Sequence, residues 1–196
     1  CLAYLFYKDR KSSEPPRQLL NAIMYGPLSI LLSLCLSIPF RFIGLYPETI
    51  TSLFDAVRTA FFGAAIPEEM AKLFCLWLVL RKNPYFDEKM VGIVYAVCVS
   101  LGFAAVENIM YLFSNAETFM LVGITRALFA IPGHMFFGIM MGYYYSLAKF
   151  YPSSSIKNSV LVLSSPILAD GIYDYILMSM SSVSPNIIIV MGLLFL

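Results

Sequence analysis

The sequence predicts an all-α fold, a polytopic transmembrane helical bundle of six to eight membrane segments. Three observations carry this. Of its 196 residues, 60% are hydrophobic and 13% charged, against about 25% charged in ordinary soluble domains. The apolar runs are about 20 residues long, the length that crosses a bilayer as helix; strands would need alternating segments of about 10. The basic residues gather in short loops on alternate sides of those runs. The lipid bilayer is therefore the expected surrounding. The net charge of +1 gives no sign of nucleic acid as a partner.

Taken in order, Cys1–Tyr7 reads as the tail of a span, followed by the polar stretch KDRKSSEPPR at 8–17. Leu19–Phe40 is the first complete span, with Pro39 marking its end. Thr51–Thr59 is amphipathic and suited to the interface, with Asp55 and Arg58 three apart. Phe61–Leu80 is apolar enough to span, yet holds Glu68, Glu69 and Lys72. Pro67 lacks a backbone donor and invites a kink or a fresh helix start there. Val91–Phe113, Met120–Ala148 and Val160–Ser179 are further spans, and Ile187–Leu196 begins another. The whole of 1–196 reads as one integral membrane domain. Its apolar opening and its close without a polar flank suggest a piece of a slightly longer protein. Cys35, Cys75 and Cys98 lie inside spans without CxxC or CxxH spacing, so no thiolate zinc site is indicated.

The loops at 8–17, 81–89 and 149–157 hold most of the Lys and Arg, while those at 114–117 and 181–186 hold none. The positive-inside rule makes the first set cytoplasmic.

A charge at mid-membrane costs at least about 2.5–3.5 kcal/mol, so those that persist usually face a partner or a cavity. At 1.5 Å per helical residue, Glu107 lies roughly 9 Å and His134 roughly 20 Å into their spans. Asp170 and Asp174 come about 14 and 8 Å below the outer end of theirs, and Glu68 and Glu69 near 14 Å. Four spans thus bring ionisable groups to overlapping depths, which points to one shared polar cavity. Glu68 and Lys72 share a helix face at i,i+4 and can pair; Glu69, about 100° around, need not serve the same partner. Arg126 is placed for an interhelical bridge to Asp174, and Asn108 for interhelical hydrogen bonding. Gly138 and Gly142 form a GxxxG that admits a neighbouring helix closely. Glutamates with a histidine can hold a divalent metal while one carboxylate activates water. Without metal, a Glu–His pair can polarise water directly. A proton or ion pathway would use the same residue types.

At these residues the sequence resembles the PrsW family of bacterial intramembrane proteases, related to the CAAX prenyl protease group. The matching stretches run in order: KDRKSSEPPR with Asp9, Glu14 and Pro15; PEEMAK; GFAAVENIMY with Gly102, Phe103 and Tyr111; RALFAIPGH; and DGIYD with Gly171, Tyr173 and Asp174. The resemblance implies cleavage of a membrane-spanning protein, typically an anti-sigma factor in a stress-signalling cascade, at the bacterial cytoplasmic membrane. It implies a catalytic set of Glu68, Glu69, His134 and Glu107, supported by Lys72, Asn108, Arg126 and Asp174. A divalent metal such as Zn²⁺ would be held by Glu107, His134 and Asp170. The family's last motif usually reads HGxYD, and Asp170 stands in place of that His. A carboxylate there can ligate a cation but cannot donate to an oxyanion unless protonated. A non-proteolytic homologue that binds a single-span partner is therefore the alternative reading, with an ion pathway ranked last.

Overall fold

A computed structural model describes residues 15–183, which are helical almost throughout, with no strand among them. Helix α1 (Pro16–Phe42) opens on a proline, whose missing donor costs nothing in a first turn. Pro39 lies inside it, and the helix runs three residues beyond. A short helix α2 (Leu53–Arg58) passes through a π-helical segment (Thr59–Ala65) into α3 (Ile66–Leu80). Residues 53–59 of the stretch suited to the interface are thus the first part of one continuous helical run. That run is about 40 Å long at 1.5 Å per residue.

Helix α4 (Lys89–Ser114) follows, then α5 (Phe119–Thr125), a second π-helical segment (Arg126–Ala130) and α6 (Ile131–Phe150), again one unbroken rod. Helix α7 (Ser155–Val183) closes the described bundle. Four stretches are long and apolar enough to cross a membrane: Pro16–Phe42, Lys89–Ser114, Phe119–Phe150 and Pro152–Ser179. The charged run 53–80 makes a fifth long helix. The count of six to eight is not reached within the described residues. The end segments expected at Cys1–Tyr7 and Ile187–Leu196, like Asp9 and Glu14, lie outside them.

Helix α4 is the axis of the bundle. Its first half is apolar and buried all round, as a helix enclosed by others must be. It packs α1 on one side and α6 on the other. The core joins Leu19 and Ala22 of α1, Leu76 of α3, Tyr95 and Cys98 of α4, Met141 of α6 and Val162 of α7. Large apolar side chains such as Leu20, Leu31, Leu121 and Leu128 face outward; an apolar exterior this extensive is suited to lipid and not to water.

Close backbone contact sets the spacing around α4. A Cβ at Gly26 of α1 would fall 2.2 Å from the carbonyl carbon of Gly102. The GxxxG of α6 behaves as expected: a Cβ at Gly142 would lie 2.5 Å from the Gly92 carbonyl oxygen. The basic loops 81–89 and 149–157 meet at one end of the bundle. There Lys149 Nζ donates to the Phe86 carbonyl at 2.6 Å, and Lys89 Nζ to the Tyr151 hydroxyl at 2.5 Å. Their shared end agrees with the alternation of charge read along the chain.

Because the atoms facing Gly26 are backbone, Gly26→Ala forces α1 and α4 apart. The expected cost is about 1–3 kcal/mol, read as a lowered thermal midpoint in detergent. Gly123→Ala, whose Cβ would sit 3.4 Å from a Leu112 methyl, is expected to change little. Equal behaviour of the two would refute the close-packing account.

Candidate active site

The two helices that carry the central residues are built alike. Ala65-Ile66-Pro67 precedes Glu68 and Glu69, and Ala130-Ile131-Pro132 precedes Gly133 and His134. In both, a π-helical segment ends at the alanine and α-helix restarts at the isoleucine, with proline in the first turn. Proline has no N–H to continue the ladder, so a wide turn before it satisfies the backbone differently. Such π-segments are frequent at functional sites. The kink or restart expected at Pro67 takes this form; its twin at Pro132 was not anticipated, though the repeated Ala-Ile-Pro was there to be read.

Lys72, nearly two turns into α3, is wholly buried and organises the inner half of the site. Its ammonium has three donors and no acceptor. They meet Glu69 Oε1 at 2.7 Å, Glu68 Oε2 at 3.3 Å and His134 Nδ1 at 3.2 Å. The expected Glu68–Lys72 pair exists, but the closer partner is Glu69. The two glutamates, which their helix angle left free to serve different partners, share this one, because the long lysine side chain ends between them. The ammonium also lies 4.1 Å from the centre of the Phe103 ring, a favourable cation–π placement.

His134 is held from both sides. With Nδ1 accepting from Lys72, the ring hydrogen belongs on Nε2, which lies 2.9 Å from Glu107 Oε2 and donates to it. Phe103 and Phe137 bracket the imidazole at 5.4 and 5.9 Å between ring centres. Phe137, three residues on from His134 and so on the same helix face, was missed in the sequence.

Arg126 secures the outer half. It donates to Glu107 Oε2 at 2.5 Å and to Asn108 Oδ1 at 2.6 Å, and stacks on Tyr111 at 3.9 Å. The expected bridge from Arg126 to Asp174 is not formed; the guanidinium fork turns to two neighbouring acceptors on α4 instead. Asp174 lies half-buried on α7. Asp170, one turn earlier, is buried, and its Oδ2 has no partner among the described residues; neither has Glu69 Oε2.

Glu68, Glu107 and His134 each offer one ligand atom, all within 4.8 Å of one another. Two carboxylate oxygens and an imidazole nitrogen are a donor set that suits Zn²⁺ and other borderline divalent ions. To ligate a cation through Nε2 the imidazole would carry its hydrogen on Nδ1 instead, and the Lys72 contact there would be given up, since a ligating nitrogen must be deprotonated. Asp170, expected as a donor beside Glu107 and His134, is not in this group. Glu68 holds that place, and Asp170 is buried within electrostatic reach of Lys72.

A family profile described as PrsW family intramembrane metalloprotease matches residues 14–196. The chain belongs to the PrsW family. It is 37% identical to Protease PrsW of Oceanobacillus iheyensis over 92% of this chain and 79% of that one. The proteins of the same name from Clostridioides difficile and Bacillus subtilis are 35% and 33% identical, over 87% and 92% of this chain and 71% and 79% of theirs. No solved structure matches at comparable significance. Membership of PrsW makes the bundle that of an intramembrane protease, and its buried Glu-Glu-His group is compatible with a metal site.

The Lys72 network predicts a non-additive pattern. Lys72→Met leaves Glu69 buried without its counter-charge and is expected to cost about 3–5 kcal/mol. Adding Glu69→Gln should recover part of that loss in a double-mutant cycle followed by thermal denaturation. Strictly additive losses would mean the two side chains do not depend on each other.

Proposed function

We propose that this chain is an intramembrane endopeptidase that cleaves a membrane-spanning protein substrate, with Glu68, Glu107 and His134 as ligands of a divalent cation and Glu69 as proton acceptor. The observation that carries it is the convergence, from three separate helices, of two glutamates and a histidine on one buried point. Bound there, such an ion would polarise the scissile carbonyl and make water more acidic.

The remaining work falls to side chains. Glu69 keeps Oε1 on Lys72 and leaves Oε2 without a partner among the described residues. That free oxygen takes a proton as the water oxygen bonds to the carbonyl carbon. The proton then passes to the amide nitrogen as the C–N bond breaks, giving a carboxyl and an amine. Lys72 fixes Glu68 and Glu69. Arg126 and Asn108 fix Glu107, and the Phe103 and Phe137 rings hold the imidazole plane.

The family resemblance further supports an anti-sigma-factor-like substrate in stress signalling and a place in the bacterial cytoplasmic membrane. The basic loops 8–17, 81–89 and 149–157 would face the cytoplasm. All of 1–196 would act as one membrane domain.

The test compares membrane-protein termini in cells making wild type, Glu69→Gln or His134→Ala. A new terminus within or beside a transmembrane segment is expected with wild type alone. The variants should fall by at least about 10²-fold while remaining folded. Identical termini in all three would favour the non-proteolytic, partner-binding alternative, for which Asp170 in place of the family His is the motivating feature. Purified wild type should carry one divalent ion per chain, and Glu107→Gln should lose it; equal metal content in both would remove Glu107 from the ligand set.

A further inference from the structure

We infer that the cavity between α6 and α7 beside His134 is a subsite for one large apolar side chain of the substrate's membrane-spanning segment, with Gly133 setting the size accepted. The inference rests on the proteolytic reading. The cavity measures about 270 Å³ and is walled by Leu128, Gly133, Phe137, Ile172 and Tyr173 among others. Its inner wall is the Phe137 ring, which meets His134 edge-on at 5.9 Å and Tyr173 at 6.3 Å. A single ring therefore separates the cavity from the imidazole. Its outer rim reaches the lipid-facing side, where Leu128 is 63% and Ile172 53% exposed. Among the described residues, helix α7 leans chiefly on α6 and on the Thr59–Ala65 segment, and a substrate helix would arrive along its flank toward α5.

Size and lining select the occupant. Sites for whole small molecules run about 300–1,000 Å³ with several converging polar groups. This one is smaller and almost entirely apolar, which fits one Leu, Met or Phe side chain. A membrane segment is apolar by necessity, and a neighbouring side chain held fast is what aligns a reacting bond. Gly133 gives a second, independent indication. Glycine is a poor helix former, yet it sits in the first turn of α6. A Cβ there would meet nothing nearer than the Phe137 ring edge at 3.6 Å. The space a side chain would fill at this position is the cavity itself.

The test uses the full chain in membranes and a tagged single-span reporter. The reporter's Leu/Ala segment of about 20 residues carries Ala, Leu or Phe at each depth in turn. Wild type is expected to cleave reporters with Leu or Phe at one depth about tenfold or more faster than those with Ala. Gly133→Leu should reverse that order, and Gly133→Ala should fall between. A photo-crosslinking residue at Ile172, in a Glu107→Gln background, should trap the reporter; the same residue at Leu31, on the exposed face of α1, should not. Should Gly133→Leu fail to fold, Gly133→Ala and the crosslinks decide. Cleavage with unchanged preference and no adduct at 172 overturns the subsite and leaves the protease. An adduct at 172 without cleavage by wild type overturns the protease and leaves the binding pocket. Neither adduct nor cleavage overturns both.

Discussion

One buried ammonium holds the site together. Lys72 has no exposed surface, and its three donors are spent on Glu69, Glu68 and His134. Taking an ion out of water costs several kcal/mol even in a relaxed protein, and only well-aligned partners repay it. Here the partners come from two helices, so the charge cannot be satisfied unless α3 and α6 stand at one particular separation. The same requirement orients the imidazole, because an ammonium can only donate. The hydrogen is thereby sent to Nε2 and toward Glu107. Glu107 is in turn gripped by Arg126, the first residue of the second π-helical segment. The polar chain runs α3, α6, α4 and back to the α5–α6 rod without leaving the apolar bundle.

The two π-helical segments explain how straight rods can deliver those groups. A regular helix fixes successive residues at 100° and repeats its faces every third or fourth position. Inserting a wide turn shifts the register of everything after it. Glu69 and His134 both stand two residues past the proline that follows such a turn. The device thus sets the angle of each of these side chains independently of the lipid-facing pattern earlier in the same rod. It also accounts for the continuity of 53–80, since a register shift leaves the axis in place where a break would not.

Much of this was legible in residue order. Length, apolarity and the clustering of basic residues gave helices, and the depth count brought Glu68, Glu107 and His134 to overlapping depths because rise per residue is nearly constant. What depth cannot give is azimuth. Arg126 is at a suitable level for either Asp174 or Glu107, and the choice depends on how α4, α6 and α7 are rotated, which the π-segments alter. Asp170 failed to join Glu107 and His134 for the same reason. The reach of Lys72 to Glu69 was missed because helix faces were counted at Cβ, whereas a four-carbon side chain can cross to a neighbouring face. The ring of Phe137 was invisible as a site residue because an aromatic in a membrane helix ordinarily signals lipid or core.

The balance of charge supplies an argument about metal that is independent of kinship. The five carboxyl groups Glu68, Glu69, Glu107, Asp170 and Asp174 gather near two cationic side chains, Lys72 and Arg126. Fully charged, that set would be short of positive charge in surroundings that screen poorly, where unbalanced charge is most costly. Protons or a bound cation must make up the difference. The trio able to ligate lies at the point where Glu68 and Glu107 approach each other, two like groups whose closeness a divalent ion converts from repulsion to coordination. Asp170, buried and without a partner for its Oδ2 among the described residues, adds to that shortfall while lying outside the trio.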